Sequence, residues 1–451
     1  MIFSYDDYLK YGMIFPKYFH SLYSIERHSY NRMNKEYDKS GNRISDALDK
    51  LKERIPYSYF SKVYSAQTDA IKYAEYVFPT YKFILPDALW DDWLATIDPH
   101  KQYCRDHSLH QPLTAYIVSK LLKGNRQEAP FTLPNGETLL HYCAKQILEG
   151  EEASYLHSYL KSLYPRWDGI PDNVKKIMVE DIFYEAAIIA ALFHDIGYPW
   201  QYVNRLSKSL QSAGPGHSNI MKRDISSIME ILDNRLLGMP FYAYSKTSKA
   251  RPVSGWYNRI KELAEESFVS THGFPGALCF TQLNDAIRKY PMDSCLNDAV
   301  YRFILDWAAV AIMMHDMPKK YKGEAPLDEN GKKLKSWLPA NPYLRLSFEK
   351  DPLSSLIAMC DILEEFHRPG SSFCTHCADQ VCTEYDYKGI AAELNLTNSN
   401  LEIVYHYKSP QIKASLKKFR HEEVEDYFDM QKGYIDISGL GIDEVICSCK
   451  G

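Results

Sequence analysis

Three stretches of the chain lead an apolar helical run directly into an imidazole or a carboxylate. In AAIIAALFHDIGYPW the run from Ala186 to Phe193 delivers His194 and Asp195 out of the core, with Gly197 and Pro199 following. AVAIMMHD repeats the arrangement at His315 and Asp316. In DPLSSLIAMCDILEEFHRP, Leu353, Leu356, Ile357 and Cys360 put Asp361 on or beside the buried face of a helix, where a carboxylate needs a cation. RDHSLHQPLTAYIV adds His107 and His110 at or just before a helix start, and THGFPGAL adds His272. One such residue is an ordinary buried polar group satisfied by hydrogen bonds. Their recurrence at apolar helix ends points instead to a shared metal. Mixed imidazole and carboxylate ligands suit Mn, Fe, Co, Ni or Zn, and two such ions ~3.5 to 4 Å apart can hold a hydroxide nucleophile and clamp a phosphoryl group.

Competing chemistries lack their motifs. The sequence has no GxSxG elbow, no convincing Ser-His-Asp set, no glycine-rich strand-to-helix turn, no Walker-type lysine loop and no internal repeat. A phosphate-bearing substrate should meet positive charge. Lys319, Lys320 and Lys322 follow His315 closely, with Lys332, Lys333 and Lys335 beyond, so this segment can close over the site; the plainer reading is a solvated loop. Arg105 and Arg368 stand beside the motif residues and are candidate catalytic cations, whereas His217, in Gly-Pro-Gly-His, reads as a surface residue. CTHCADQVC supplies Cys374, Cys377 and Cys382, and Cys447 and Cys449 lie near the C-terminus. Cys374 and Cys377 with Cys447 and Cys449 can form a structural zinc site, with His376 and Cys382 as substitute ligands and free thiols as the alternative.

The elements needed to position these groups are helical. Ile44, Leu48, Leu51 and Ile55 recur at helical spacing in a helical lead-in covering residues 1–100. A helix from Gln111 to about Leu122 should start close to His110, with Pro112 in its first turn. Further helices are predicted at Leu139 to Leu163, Val174 to Phe193, Ile220 to Leu237, His272 to Tyr290, Leu296 to His315 and Pro352 to Phe366. Residues 207–219 and 317–345 interrupt them. Beyond Ser371 the pattern changes: Ile390 to Leu396 and Leu401 to Tyr407 read as strands about an Asn-Ser-Asn turn, then come a charged helix near Pro410 to Met430 and a strand near Tyr434 to Ile437. The expected fold is mainly α, a helical bundle over 101–370 with a small C-terminal α+β appendage over 371–451, which a zinc ion would staple if the cysteines bind one rather than stay free thiols.

Composition bounds the function class. The 451 residues are 45% hydrophobic and 25% charged, and 53 Lys+Arg against 58 Asp+Glu give a net charge of −5, so disorder is excluded and no long nucleic acid is indicated as partner. The start, MIFSYDDYLKYGMIF, does not read as a signal peptide, and the longest apolar runs fall far short of the ~20 residues of a membrane span. Ten Cys are too sparse for a disulfide scaffold. A cytoplasmic protein is expected, with no membrane partner and with its oligomeric state open. The 35 Tyr carry no functional reading.

The order of an early His, then His194-Asp195, His272, His315 and Asp361 resembles the HD superfamily of metal-dependent phosphohydrolases, over about residues 100 to 370. The HDIG at His194 to Gly197 and the PLSSLIAMCD at Pro352 to Asp361 are the more specific pieces. The resemblance implies a helical fold in which the early His, His194, Asp195 and Asp361 hold a first metal, Asp195 bridges, and His272 and His315 serve a second. His107 is preferred as the early ligand, because family members commonly follow it with Ser and an apolar residue, as in His107-Ser108-Leu109. His110 is then the fallback ligand or a proton donor. The HHE...GYP block of the cyclic-dinucleotide phosphodiesterases is absent. Tyr198 stands where deoxynucleoside triphosphate triphosphohydrolases have a second His, while Pro199-Trp200 keep part of their pattern. The implied activity is cleavage of a phosphoester or phosphoanhydride bond in a nucleotide-like substrate by metal-activated hydroxide, with triphosphohydrolase and phosphodiesterase both open. The alternative is a catalytically silent scaffold that binds a nucleotide or partner protein.

Overall fold

The structure, a computed structural model, describes residues 1–4, 7, 107–150, 154–164, 166–197, 271–288, 299–317, 345–364, 390–407, 424, 426–429 and 432–450. These are mainly helical, with a small mixed sheet. In chain order the elements are β1 (Ile2–Ser4), α1 (His107–Lys123), α2 (Leu139–Glu149), α3 (Ser154–Leu163), α4 (Asp172–Phe193), α5 (Gly273–Arg288), α6 (Ala299–Met314), β2 (Leu346–Ser347), α7 (Pro352–Leu363), β3 (Ile390–Thr397), β4 (Asn400–Tyr407), β5 (Ile435–Asp436) and β6 (Glu444–Lys450).

Four helices form the centre because they are apolar on nearly every side rather than along one stripe. In α1, Leu113 through Lys120 are all buried; so are Ala186 to Phe193 in α4, Phe303 to Leu305 and Trp307 to Met314 in α6, and every residue of α7 except Asp361. The pairs α1/α4, α4/α6, α6/α7 and α1/α7 pack against one another, and α5 lies along α6. Local signals set the ends. The Thr138 hydroxyl accepts from the His141 N–H at the start of α2. Asp351 accepts from the Ser354 N–H before Pro352 opens α7. Gly124, at φ 68°, closes α1 by donating to the Lys120 carbonyl.

The four-stranded sheet has the order β1-β3-β4-β6. β3 and β4 form an antiparallel hairpin in which Thr397 pairs with Asn400 around Asn398, whose φ is 54°. β6 runs parallel to β4, with Cys447 opposite Ile403. The inner face, including Ala392, Leu394, Leu401, Ile403, Tyr405 and Cys447, joins the same buried cluster as the helices. A second, two-stranded sheet pairs β2 with β5 in parallel.

Several boundaries differ from the sequence expectation. α1 begins at His107, so Pro112 lies in its second turn rather than its first. The lost N–H bond there is a local cost outweighed by burial of Leu113, Ile117 and Leu121. The single helix expected from Leu139 to Leu163 is two, α2 ending at the Gly150 cap. The helical lead-in does not include residues 2–4, which form β1. Phe3 is fully buried, the terminal amine donates to the Leu394 carbonyl at 2.8 Å, and Lys120 of α1 pairs with Asp7 and donates to the Ile2 carbonyl. β6 was not expected either, because Glu444 to Lys450 mixes polar and apolar residues at an edge. The helix predicted at Ile220 to Leu237 and the interruption at 207–219 lie outside the described residues, as does all of the interruption at 317–345 except its end residues Met317 and Arg345.

Candidate metal centre

Helix ends bring the imidazoles together. α4 ends at Phe193, and the following His194 turns its ring back so that Nδ1–H donates to the Ala191 carbonyl at 2.8 Å. α6 ends at Met314, and His315 Nδ1–H donates to the Ile312 carbonyl at 2.7 Å. A carbonyl can only accept, so both rings carry a proton on Nδ1, which leaves Nε2 as the nitrogen able to ligate a metal. His110 enters from the first turn of α1 with Nδ1 2.6 Å from Glu364 Oε2. His272, just ahead of α5, has Nδ1 2.7 Å from Asp316 Oδ2, and its backbone N–H donates to the same oxygen.

With all four Nδ1 atoms engaged, the four Nε2 atoms face a common centre. His110 Nε2 stands 3.1 Å from His194 Nε2, and His272 Nε2 stands 3.0 Å from His315 Nε2. Asp195 lies between the pairs, Oδ2 at 3.5 Å from His110 Nε2 and Oδ1 at 2.9 Å from His272 Nε2 and 3.4 Å from His194 Nε2. Asp361 Oδ1 is 2.9 Å from His110 Nε2 and 3.7 Å from His194 Nε2. Three overlapping sets have ligand atoms within 4.8 Å of one another: His110, His194 and Asp195; His194, His315 and Asp361; Asp195, His272 and His315. The side chains of His110, His194, Asp195 and His315 are fully buried and that of Asp361 is 13% exposed, making Asp361 the ligand most open to solvent.

Electrostatics demand positive charge here. Burial pulls the His110 imidazole down, but hydrogen bonds with Asp361 and Glu364 and the charges of Glu364 and Asp195 push it up to about 10. His272 likewise rises against burial to about 9, through Asp316 and Asp195. His315 falls to about 4, because burial and the neighbouring His272 and His194 oppose a proton. Asp316 is held below its usual range despite burial by its contact with His272. Two facing imidazole lone pairs repel unless a proton or a metal ion lies between them, and the donor set of four Nε2 atoms and two carboxylates fits a divalent ion.

Six of the sequence candidates, His110, His194, Asp195, His272, His315 and Asp361, converge. The early histidine in the cluster is His110, because the helix holding it aims its Nε2 at Asp361. His107 begins the same helix, with its side chain outside the described residues. Arg105, Arg368, Lys319, Lys320, Lys322, Lys332, Lys333, Lys335, His217, Cys374, His376, Cys377 and Cys382 also lie outside the described residues. Cys447 and Cys449 sit two apart on β6, Cys447 buried on the inner face of the sheet and Cys449 packed against the same core. The carboxylates of Glu364 and Asp316 were not singled out as site residues. Their signals were present: Glu364 is one helical turn beyond Asp361, and Asp316 completes a second His-Asp pair.

Compared with protein-family models, curated proteins and solved structures, the chain has no match. Among the described residues no helix is long and apolar enough to cross a membrane.

Proposed function

We propose that this protein is a metal-dependent phosphohydrolase of the HD type, cleaving a phosphoester or phosphoanhydride bond in a nucleotide-like substrate. The observation that carries the reading is Asp195, buried between two histidine pairs, with Oδ2 beside His110 and Oδ1 shared between His194 and His272. His110, His194, Asp195 and Asp361 are suited to hold one divalent ion; His272, His315 and the other oxygen of Asp195 are suited to hold a second. Charge supports two ions. Asp195, Asp316, Asp361 and Glu364 bring four carboxylates to the centre; two protonated imidazoles, His110 and His272, offset half of them, and two divalent ions offset all four. Bound there, such ions supply Lewis acidity toward a phosphoryl oxygen and activate water near neutral pH.

The chain's own groups do the positioning. The Ala191 and Ile312 carbonyls and the Glu364 and Asp316 carboxylates fix the four rings with Nε2 inward, so no reorganisation is needed when a cation arrives. Burial of His110, His194 and His315 keeps bulk water from the inner side, and the partly open Asp361 marks the side from which a phosphoryl group approaches. Elemental analysis of purified protein, together with turnover of a generic phosphodiester and a nucleoside triphosphate panel with added Mn, tests the reading. Asp195→Ala and Asp361→Ala are each expected to lose bound metal and hydrolysis while the fold survives. Metal bound without turnover of any phosphate ester would instead assign a silent scaffold.

A further inference from the structure

The centre is built twice from the same parts. α4 and α6, packed side by side, each end in an apolar run followed by His-Asp, and His194 and His315 each direct Nδ1 to the carbonyl three residues back. Their rings lie 5.0 Å apart, nearly perpendicular. Each faces one further histidine through Nε2, His110 for His194 and His272 for His315. Those two partners, unlike the helix-end histidines, are backed by buried or half-buried carboxylates: Glu364 behind His110 at 2.6 Å, and Asp316 behind His272 at 2.7 Å. The duplication is broken at the aspartates. Asp195 turns inward between the halves, whereas Asp316, in the equivalent place, turns back to the Nδ1 and backbone N–H of His272.

From this we infer that Glu364 and Asp316 are positioning residues that govern two metal positions separately, Glu364 through His110 and Asp316 through His272. The inference rests on the two-ion reading above. A carboxylate behind a ligating imidazole fixes its tautomer and its aim and raises its basicity, and loss of such a partner weakens metal binding by roughly 10- to 100-fold. Glu364 holds the Nδ1 of His110 and Asp316 holds the Nδ1 of His272, so each acts first on its own half.

The test is Mn and Co(II) binding to the full-length protein, followed by elemental stoichiometry, calorimetry and the visible absorption of Co(II). Wild type is expected to hold two ions. Asp316→Asn and Glu364→Gln are each expected to keep one and to bind the other roughly 10- to 100-fold more weakly; the retained ion reports that the fold persists. Asp316→Asn should add little to His272→Ala yet add fully to His110→Ala, and Glu364→Gln should behave the opposite way. Two ions with wild-type affinity in both single variants, loss of both ions in either, or one ion in wild type overturns the separate-control inference. Wild type that takes up no ion overturns the metal reading beneath it as well, so the two failures are distinguishable.

Discussion

A Cβ placed on Gly197 would stand 1.8 Å from the carbonyl oxygen of His272 and 2.5 Å from the Gly276 nitrogen. The turn that carries His194 and Asp195 therefore runs directly against the start of α5, with no room for a side chain between them. Gly273 does the same on the other side, where a Cβ would stand 2.7 Å from the Met313 carbonyl oxygen. These close backbone approaches hold the two halves of the metal centre within reach of each other.

Gly197→Ala must therefore separate backbone from backbone rather than displace a flexible side chain. Overpacking of this kind costs about 1 to 3 kcal/mol or more. We expect a lower Tm and a loss of metal affinity greater than that of an alanine substitution on the exposed face of α4, such as Ile177→Ala; equal behaviour of the two would show the contact to be unimportant.

The early ligand can be assigned by a pair of substitutions. His110→Ala should reduce bound metal and hydrolysis sharply, since its Nε2 faces Asp361, Asp195 and His194. His107→Ala, at the start of the same helix, should leave metal stoichiometry at the wild-type level. A reversed pattern in elemental analysis would return the role to His107.

Metal and stability should be linked. A ligand that binds only the folded chain stabilises it, by about 2.7 kcal/mol at a hundred times its Kd. Chelator treatment is expected to lower Tm and added Mn to restore it, and Asp195→Ala should abolish the Mn dependence in thermal melts.

Asp351 predicts a pH dependence away from the metal centre. Burial raises its carboxyl from the ordinary 3.8 to about 6, against the downward pull of its Ser354 hydrogen bonds. Between about pH 4 and pH 6 the folded chain keeps a proton that the unfolded chain releases, so this group's contribution falls as pH rises through that window, by roughly 3 kcal/mol in the limit. Asp351→Asn, which keeps an N-cap acceptor for α7, should be more stable than wild type at pH 7 to 8. The gain should vanish below about pH 4, as read by denaturant unfolding across pH; a constant difference at every pH would contradict it.

Much of this molecule is legible in its residue order. The apolar runs before His194 and His315 predict helices that end at those residues, and α4 and α6 do, because period and burial are local properties that a linear string carries. The Asp361 carboxylate follows from the same logic: Leu353, Leu356, Ile357 and Cys360 place it at the edge of the core before any neighbour is known.

Other features depend on residues distant in the chain. His107 and His110 are three apart on one helix, and only the packing of α1 against α7 turns His110 to Asp361 and Glu364. Asp195 and Asp316 follow identical His-Asp motifs, yet one lies between the histidine pairs and the other behind His272, because His272 approaches from α5 on one side alone. β1 and β6 are strands through pairing with β3 and β4, not through strong preferences of their own. Helix period, caps and the stock of ligand types are thus written residue by residue, while the aim of an imidazole and the job of a carboxylate are set by what the tertiary fold places within about 3 Å of them.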